Sequence, residues 1–191
     1  APAPQYPIEA APSPAEPAVE AAPPEEMLPA LPALDRSDAP LVETLEESSG
    51  LTSLETLLAP ESLIRRAVVT VDNLDDASVA QRFRPVSGLE GTVAVIRDGQ
   101  WIQLDPANYA RYDNMVNTFT SVPADIWVRT YVRYYPLFQE AYEELGYPNA
   151  YFNDRLIQII DHLLATPEVQ DPIALKQPKV FFEYADPKLE R

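Results

Sequence analysis

Cysteine is absent from this 191-residue chain, and histidine occurs once. Without thiols there is no disulfide framework, no thiol nucleophile and no thiolate metal site, and one imidazole excludes every metal motif that needs two. The redox compartment stays open, because lack of cysteine suits either kind. Glycine is scarce: the five at 50, 88, 91, 99 and 146 match neither a Walker loop nor a dinucleotide fingerprint, so no phosphate cradle is expected. No G-x-S-x-G occurs to mark a serine hydrolase. Long hydrophobic runs are missing too, none approaching the roughly 18 residues of a membrane span. Cations are few, 14 against 30 acids, for a net charge of −16. Such a field repels phosphate backbones and anionic bilayers, so nucleic acid is not an expected partner. No cofactor or metal is expected either.

What is abundant is proline, and it is unevenly placed. Ten of the 21 prolines fall within the first 36 residues, interleaved with Ala and Glu. Each internal proline removes a helical hydrogen bond and clashes with the preceding turn, so residues 1–36 read as a disordered or polyproline-II linker. Six acids against Arg36 make it self-repelling. Extended at about 3.1 Å per residue it would reach on the order of 110 Å, which suits a tether. Met27, Leu28, Leu31 and Leu34 form a short apolar patch that docks either on a partner or on the domain itself. The chain opens on Ala1 with no basic region before an apolar core, and the expectation is that the numbering starts at a processed or engineered end.

From Ser37 the signals are globular. Ser37 or Asp38 is expected to cap a helix with Pro40 in its first turn and Leu41, Val42 and Leu45 on one face. A helical turn is expected at 53–58, and Pro60 opens a helix bearing Leu63, Ile64, Ala67, Val68 and Val71. Asp75-Asp76 is expected to cap a short helix through Ala80. The dipeptide Asp98-Gly99 predicts a hairpin over 92–104 with a two-residue turn, Val95 opposite Ile102, Val93 opposite Leu104 and Ile96 opposite Trp101. Both faces would be apolar, so a third strand is expected, with 180–184 as the candidate. Asp105-Pro106 starts a helix to Phe119, and Pro123 a long one ended by Gly146 and kinked or broken by Pro136. A last helix runs from Phe152 to Ala165. The expected domain, residues 37–191, is mainly α with a small antiparallel β-sheet (α+β), a single compact helical unit preceded by the proline-rich tether.

Trp127, Tyr131, Tyr134, Phe138 and Tyr142 step by 4, 3, 4 and 4 along the long helix. One stripe of rings could stack sugars or a partner helix, but helical spacing makes it foremost a core face. On the last helix Leu156, Ile159, Ile160 and Leu163 make a stripe expected to be buried, with His162 off it near Arg155. A His near Arg and Asp has the chemistry of a general base, yet no nucleophile or second acid is placed beside it by spacing. Asp72, Asp75 and Asp76 lack the glycine and terminal Glu of a calcium loop and read as caps.

Several phrases resemble the bacterial family known as domain of unknown function 3014. They are LIRR at 63–66, TVDNL at 70–74, LDPANYARYD at 104–113, YPLFQEAY at 135–142, ELGYP at 144–148, YFNDRL at 151–156, IDHLLATP at 160–167, QPKV at 177–180 and ADP at 185–187. The resemblance spans about 37–191 and carries no activity with it. It implies a topology: an N-terminal membrane span or lipoprotein-type signal, a low-complexity linker, then this domain outside the cytoplasm.

Two functions are thereby weighed. One is an interaction or scaffold module of the periplasm or cell envelope, tethered to the inner membrane and recognising a protein partner. The other is a carboxylate-dependent glycan hydrolase or glycan-binding protein, which needs two facing acids about 5 to 10 Å apart. The candidate binding residues are Asn108, Tyr109, Arg111 and Tyr112 on one helix, and Tyr151, Asn153, Asp154, Arg155 and His162 on another. These hydrogen-bonding side chains around aromatic rings are expected to converge near the hairpin as one surface, although Asn108 would equally brace the turn at Asp105 and either Arg would equally pair with a carboxylate.

Overall fold

The computed structural model describes residues 29–52, 54–75, 79–89 and 91–189. The expected linker up to residue 28, with Met27 and Leu28, and the cap at Asp76 lie outside the described residues. Among the described residues six α-helices and a four-stranded antiparallel sheet make an α+β fold, as expected from the sequence.

The helices are α1 (Asp38–Ser49), α2 (Leu63–Asp72), α3 (Ala107–Ala110), α4 (Asp113–Ser121), α5 (Ala124–Glu144) and α6 (Phe152–Leu164). The apolar stripes of α1, α2, α5 and α6 meet in one core of Leu41, Leu45, Leu63, Ile64, Val68, Tyr134, Leu137, Ala141, Tyr142 and Phe152, joined by Leu34 and Leu54. The aromatic stripe of α5 is therefore a core face: Tyr134 and Tyr142 are buried, and Trp127, Tyr131 and Phe138 pack against them. Phe152 opens α6 as a wedge, stacked on Phe138 at 5.7 Å and tilted on Tyr142 at 5.6 Å between ring centroids. Leu31 and Leu34 join this core, so the described part of the apolar patch packs on the domain itself.

Neither Ser37 nor Asp38 caps its own helix. Ser37 Oγ donates to Leu34 O, while the Asp38 carboxylate accepts from Ser62 N at 2.6 Å and Leu63 N at 2.8 Å, capping α2 from outside. Gln139 does the same for α6: its Oε1 accepts from Phe152 N at 2.9 Å, and its Nε2 donates to Ala150 O. Orphan amides of two helices are thus satisfied by side chains distant in sequence, which fixes the angles at which the helices meet.

Pro136 does not break α5, which runs unbroken through it. Pro136 and Val132, whose carbonyl loses its amide partner, both lie on the exposed side, where water can replace the missing bond. The single helix expected from Asp105 to Phe119 is instead two, α3 and α4, parted at Arg111-Tyr112.

The sheet has the order β1 (Val95–Asp98), β2 (Trp101–Leu104), β3 (Ala174–Lys176), β4 (Glu183–Tyr184). Its hairpin differs from the expected register: Val95 pairs with Leu104, Arg97 with Ile102 and Asp98 with Trp101. The loop is Gly99-Gln100, with Gly99 alone at positive φ (57°), as a type II′ turn requires at its first central position. The slip is two residues, so every side chain keeps its expected face. The strand beside the hairpin is β3, pairing Ile102 with Leu175, and the expected strand at 180–184 contributes only the outer β4. The intervening residues fail as strand because Gln177 Nε2 donates to Val180 O and closes a turn there.

Candidate functional site

The expected site residues divide into internal supports and exposed groups. Asn108 is 5% exposed. Its Nδ2 donates to Ala94 O and Asp105 O, both at 2.7 Å, and its Oδ1 accepts from Ala94 N at 2.9 Å. Arg111 Nη1 adds a bond to Asn108 Oδ1 and Nη2 one to Gly91 O, so this pair pins the approach to β1 onto α3. Tyr109 is exposed and donates its hydroxyl to Asp171 Oδ1 at 2.8 Å. That carboxylate holds the phenol proton and raises its pKa. Tyr112, exposed, sits at the α3–α4 break.

In the second group Asn153 Oδ1 accepts from the Tyr131 hydroxyl at 3.2 Å. Burial, foremost, pushes the Tyr131 phenol far up. Arg155 spans from α6 to the end of α2. Its guanidinium donates to Asp72 O and to both oxygens of Asp75, at 3.1 and 2.6 Å, with the Asp72 carboxylate 3.5 Å away. The Asp75 carboxyl is held below its usual range by that hydrogen bond first, with His162 adding a smaller pull. Tyr151 is exposed, and lines a shallow cleft of about 220 Å³ with Asp154 and Arg155.

His162, near Asp75, also lines a second cleft, of about 410 Å³, walled by Leu74, Leu163, Val169, Ile173 and Tyr184. Among the described residues the C-terminal segment that follows α6 links the two groups. Tyr109 holds it at Asp171, while Val169 and Ile173 of the same segment face the His162 cleft. Around α1 a larger cleft of about 640 Å³ is lined by Asp38, Glu43, Glu46 and Glu47. Two of these acids serve the backbone, Asp38 at the start of α2 and Glu46 Oε1 on Leu54 N at 2.8 Å. Among the described residues no group of three His, Asp or Glu side chains is placed to hold a metal ion, and no helix is long and apolar enough to cross a membrane.

Sequence reasoning misplaced the stripe of α6. Ile159 is buried and Leu156 packs on the core, but Ile160 is 44%, Leu163 50% and Leu164 79% exposed. The helix outruns the core that should cover it. The signal available was length: four apolar positions over two turns, of which α2 and α5 receive only the first ones.

Fold and site together define a small α+β domain whose polar clusters work mainly as internal struts and whose unexplained exposures are apolar. The chain belongs to the family described as protein of unknown function (DUF3014), whose model matches residues 63–191, from the first residue of α2 onward. No curated protein and no solved structure matches it.

Proposed function

We propose that the domain is a non-enzymatic protein-interaction module of the bacterial cell envelope, held to the inner membrane by a segment ahead of its proline-rich stretch. One observation carries the reading: the apolar stripe of α6 continues past the core as Ile160, Leu163 and Leu164, beside a cleft that Val169 and Ile173 extend. Contiguous exposed apolar side chains mark an interaction surface, and a polar rim of His162 and Lys188 fits the anatomy of a protein interface. The bonding of Asp38, Glu46, Asp72 and Asp75 favours this over a glycan hydrolase, since each already serves an amide or a guanidinium.

The test is affinity capture of the full gene product, anchor retained, from gently solubilised native membranes, comparing wild type with Leu163→Asp/Leu164→Asp. A partner held by the wild type should be lost from the variant, with an unchanged unfolding midpoint. An identical set of captured proteins, or fractionation of the gene product into the cytosol, refutes the reading.

A further inference from the structure

The opposite end of the sheet carries a second, chemically different surface. Antiparallel pairing of β1 with β2 and of β3 with β4 brings the Gly99-Gln100 turn and the loop 177–182 to one end. A bond of 2.8 Å from Arg97 Nη2 to Gln177 Oε1 ties them together. This tip presents Trp101 at 73%, Val180 at 78% and Phe181 at 81% exposure. Ile96 lies exposed on the same sheet face as Trp101. The loop is not loose, since Gln177 also closes the turn onto Val180 O at 3.1 Å.

The charge around this tip runs against that of the chain. All three lysines of the sequence lie at 176, 179 and 188, and two of them, Lys176 and Lys179, closely precede the Val180-Phe181 pair. The register Ile102 to Leu175 sets Lys176 alongside Trp101. With Arg97, these give three cations against Asp98 and Glu183, the latter bridged to Lys176 at 3.4 Å, in a chain of net −16. At physiological salt, carboxylates more than about 8–10 Å away are largely screened. The tip therefore meets a surface with its own sign.

We propose that this tip docks on an anionic lipid bilayer, Trp101, Val180 and Phe181 entering the headgroup region while Lys176, Lys179 and Arg97 face the lipid phosphates. Amphipathic Trp rings settle at that depth, and long basic side chains keep their charges at the interface while their stems lie in it. This surface is separate from the outer half of α6 and does not depend on the partner proposed there.

The experiment uses the chain 1–191 with extruded vesicles of phosphatidylethanolamine and phosphatidylglycerol, and with neutral phosphatidylcholine vesicles. Only two tryptophans exist, and Trp127 packs against the helical core, so Trp101 reports the tip. The chain should sediment with the anionic vesicles and not the neutral ones, with Trp emission shifted to the blue and quenched by brominated lipid. Trp101→Phe should still partition but lose the shift. Phe181→Ser should lower partitioning about tenfold, and Lys179→Ala about fivefold, both with native circular dichroism. Leu164→Asp should leave partitioning intact. No partition, equal partition on neutral vesicles, or partition unchanged by Phe181→Ser and Lys179→Ala overturns the proposal. So does a Trp101 shift produced only by soluble envelope protein, which would make the tip a protein site.

Discussion

Replacing Asn108 separates a brace from a recognition residue. Its amide serves Ala94 O, Asp105 O and Ala94 N from a buried position, joining the chain entering β1 to α3. Truncation in Asn108→Ala removes three hydrogen bonds to the main chain and leaves Ala94 N without that partner, while Ala94 O and Asp105 O keep the amides of Asp105 and residue 108. At about 1 kcal/mol per bond the hairpin is weakened by about 3 kcal/mol. The sheet contributes no residue to the helical core, so that loss falls on local opening rather than on global unfolding. Amide hydrogen exchange over residues 94–104 should accelerate about a hundredfold, while the amides of α5 keep their rates. Asn108→Asp sharpens the test. It sets a carboxylate oxygen where Nδ2 stood 2.7 Å from two carbonyls, so exchange should be faster still near neutrality and approach that of the Ala variant once acid protonates the carboxyl. Exchange within twofold of wild type in both variants would refute the brace and return Asn108 to the candidates for recognition.

Two further outcomes test the packing and the ion pairs. Phe152→Ala removes the ring wedged between Phe138 and Tyr142 and should cost about 4 kcal/mol in denaturant unfolding; a loss under about 1 kcal/mol would mean the two halves of α5 and the start of α6 pack without it. Arg155 depresses the Asp75 carboxyl from its ordinary 3.8 and Arg65 depresses that of Glu144 from 4.5, so each pair contributes stability above those values and loses it as pH falls through the lowered ones. Calorimetry of Arg65→Ala/Arg155→Ala should accordingly show its largest deficit in melting temperature near neutrality and a shrinking one below pH 3.8; a deficit that grows on acidification would contradict the pairing.

The elements that were legible in the sequence are those set by local chemistry. Helical spacing placed α2, α5 and α6, and Asp98-Gly99 announced a hairpin, because periodicity and turn preference act within a few residues. What escaped was set by distant partners. The register puts Gly99-Gln100 rather than Asp98-Gly99 in the loop, and β2 is held on its other side by β3 through Ile102 and Leu175. Pro136 was tolerated because its missing bond faces solvent, which no single-chain rule sees. Asp38 and Gln139 cap helices that begin 25 and 13 residues away from them, so no capping pattern in the local sequence reveals them.

The candidate site was read from polar and aromatic side chains in company, and that is where sequence reasoning is weakest in a small domain. Each buried polar group must find a bond or lose several kcal/mol of solvation. Clusters such as Asn108 with Arg111, or Arg155 with Asp72 and Asp75, are therefore what a helix-to-helix or helix-to-strand junction requires before any ligand is considered. Exposed apolar side chains carry no such internal duty. Leu163 and Leu164 beyond the end of the core, and Trp101, Val180 and Phe181 beyond the end of the sheet, gain nothing for the isolated domain. Their surroundings differ in kind, a concave cleft with one His and one Lys at the first, a projecting turn pair among lysines at the second. A concave apolar site takes a convex side chain from another protein, whereas a projecting apolar tip ringed by cations enters a planar anionic layer. On a domain held by a membrane tether, as proposed above, the two would let one end rest on the membrane while the other meets its partner.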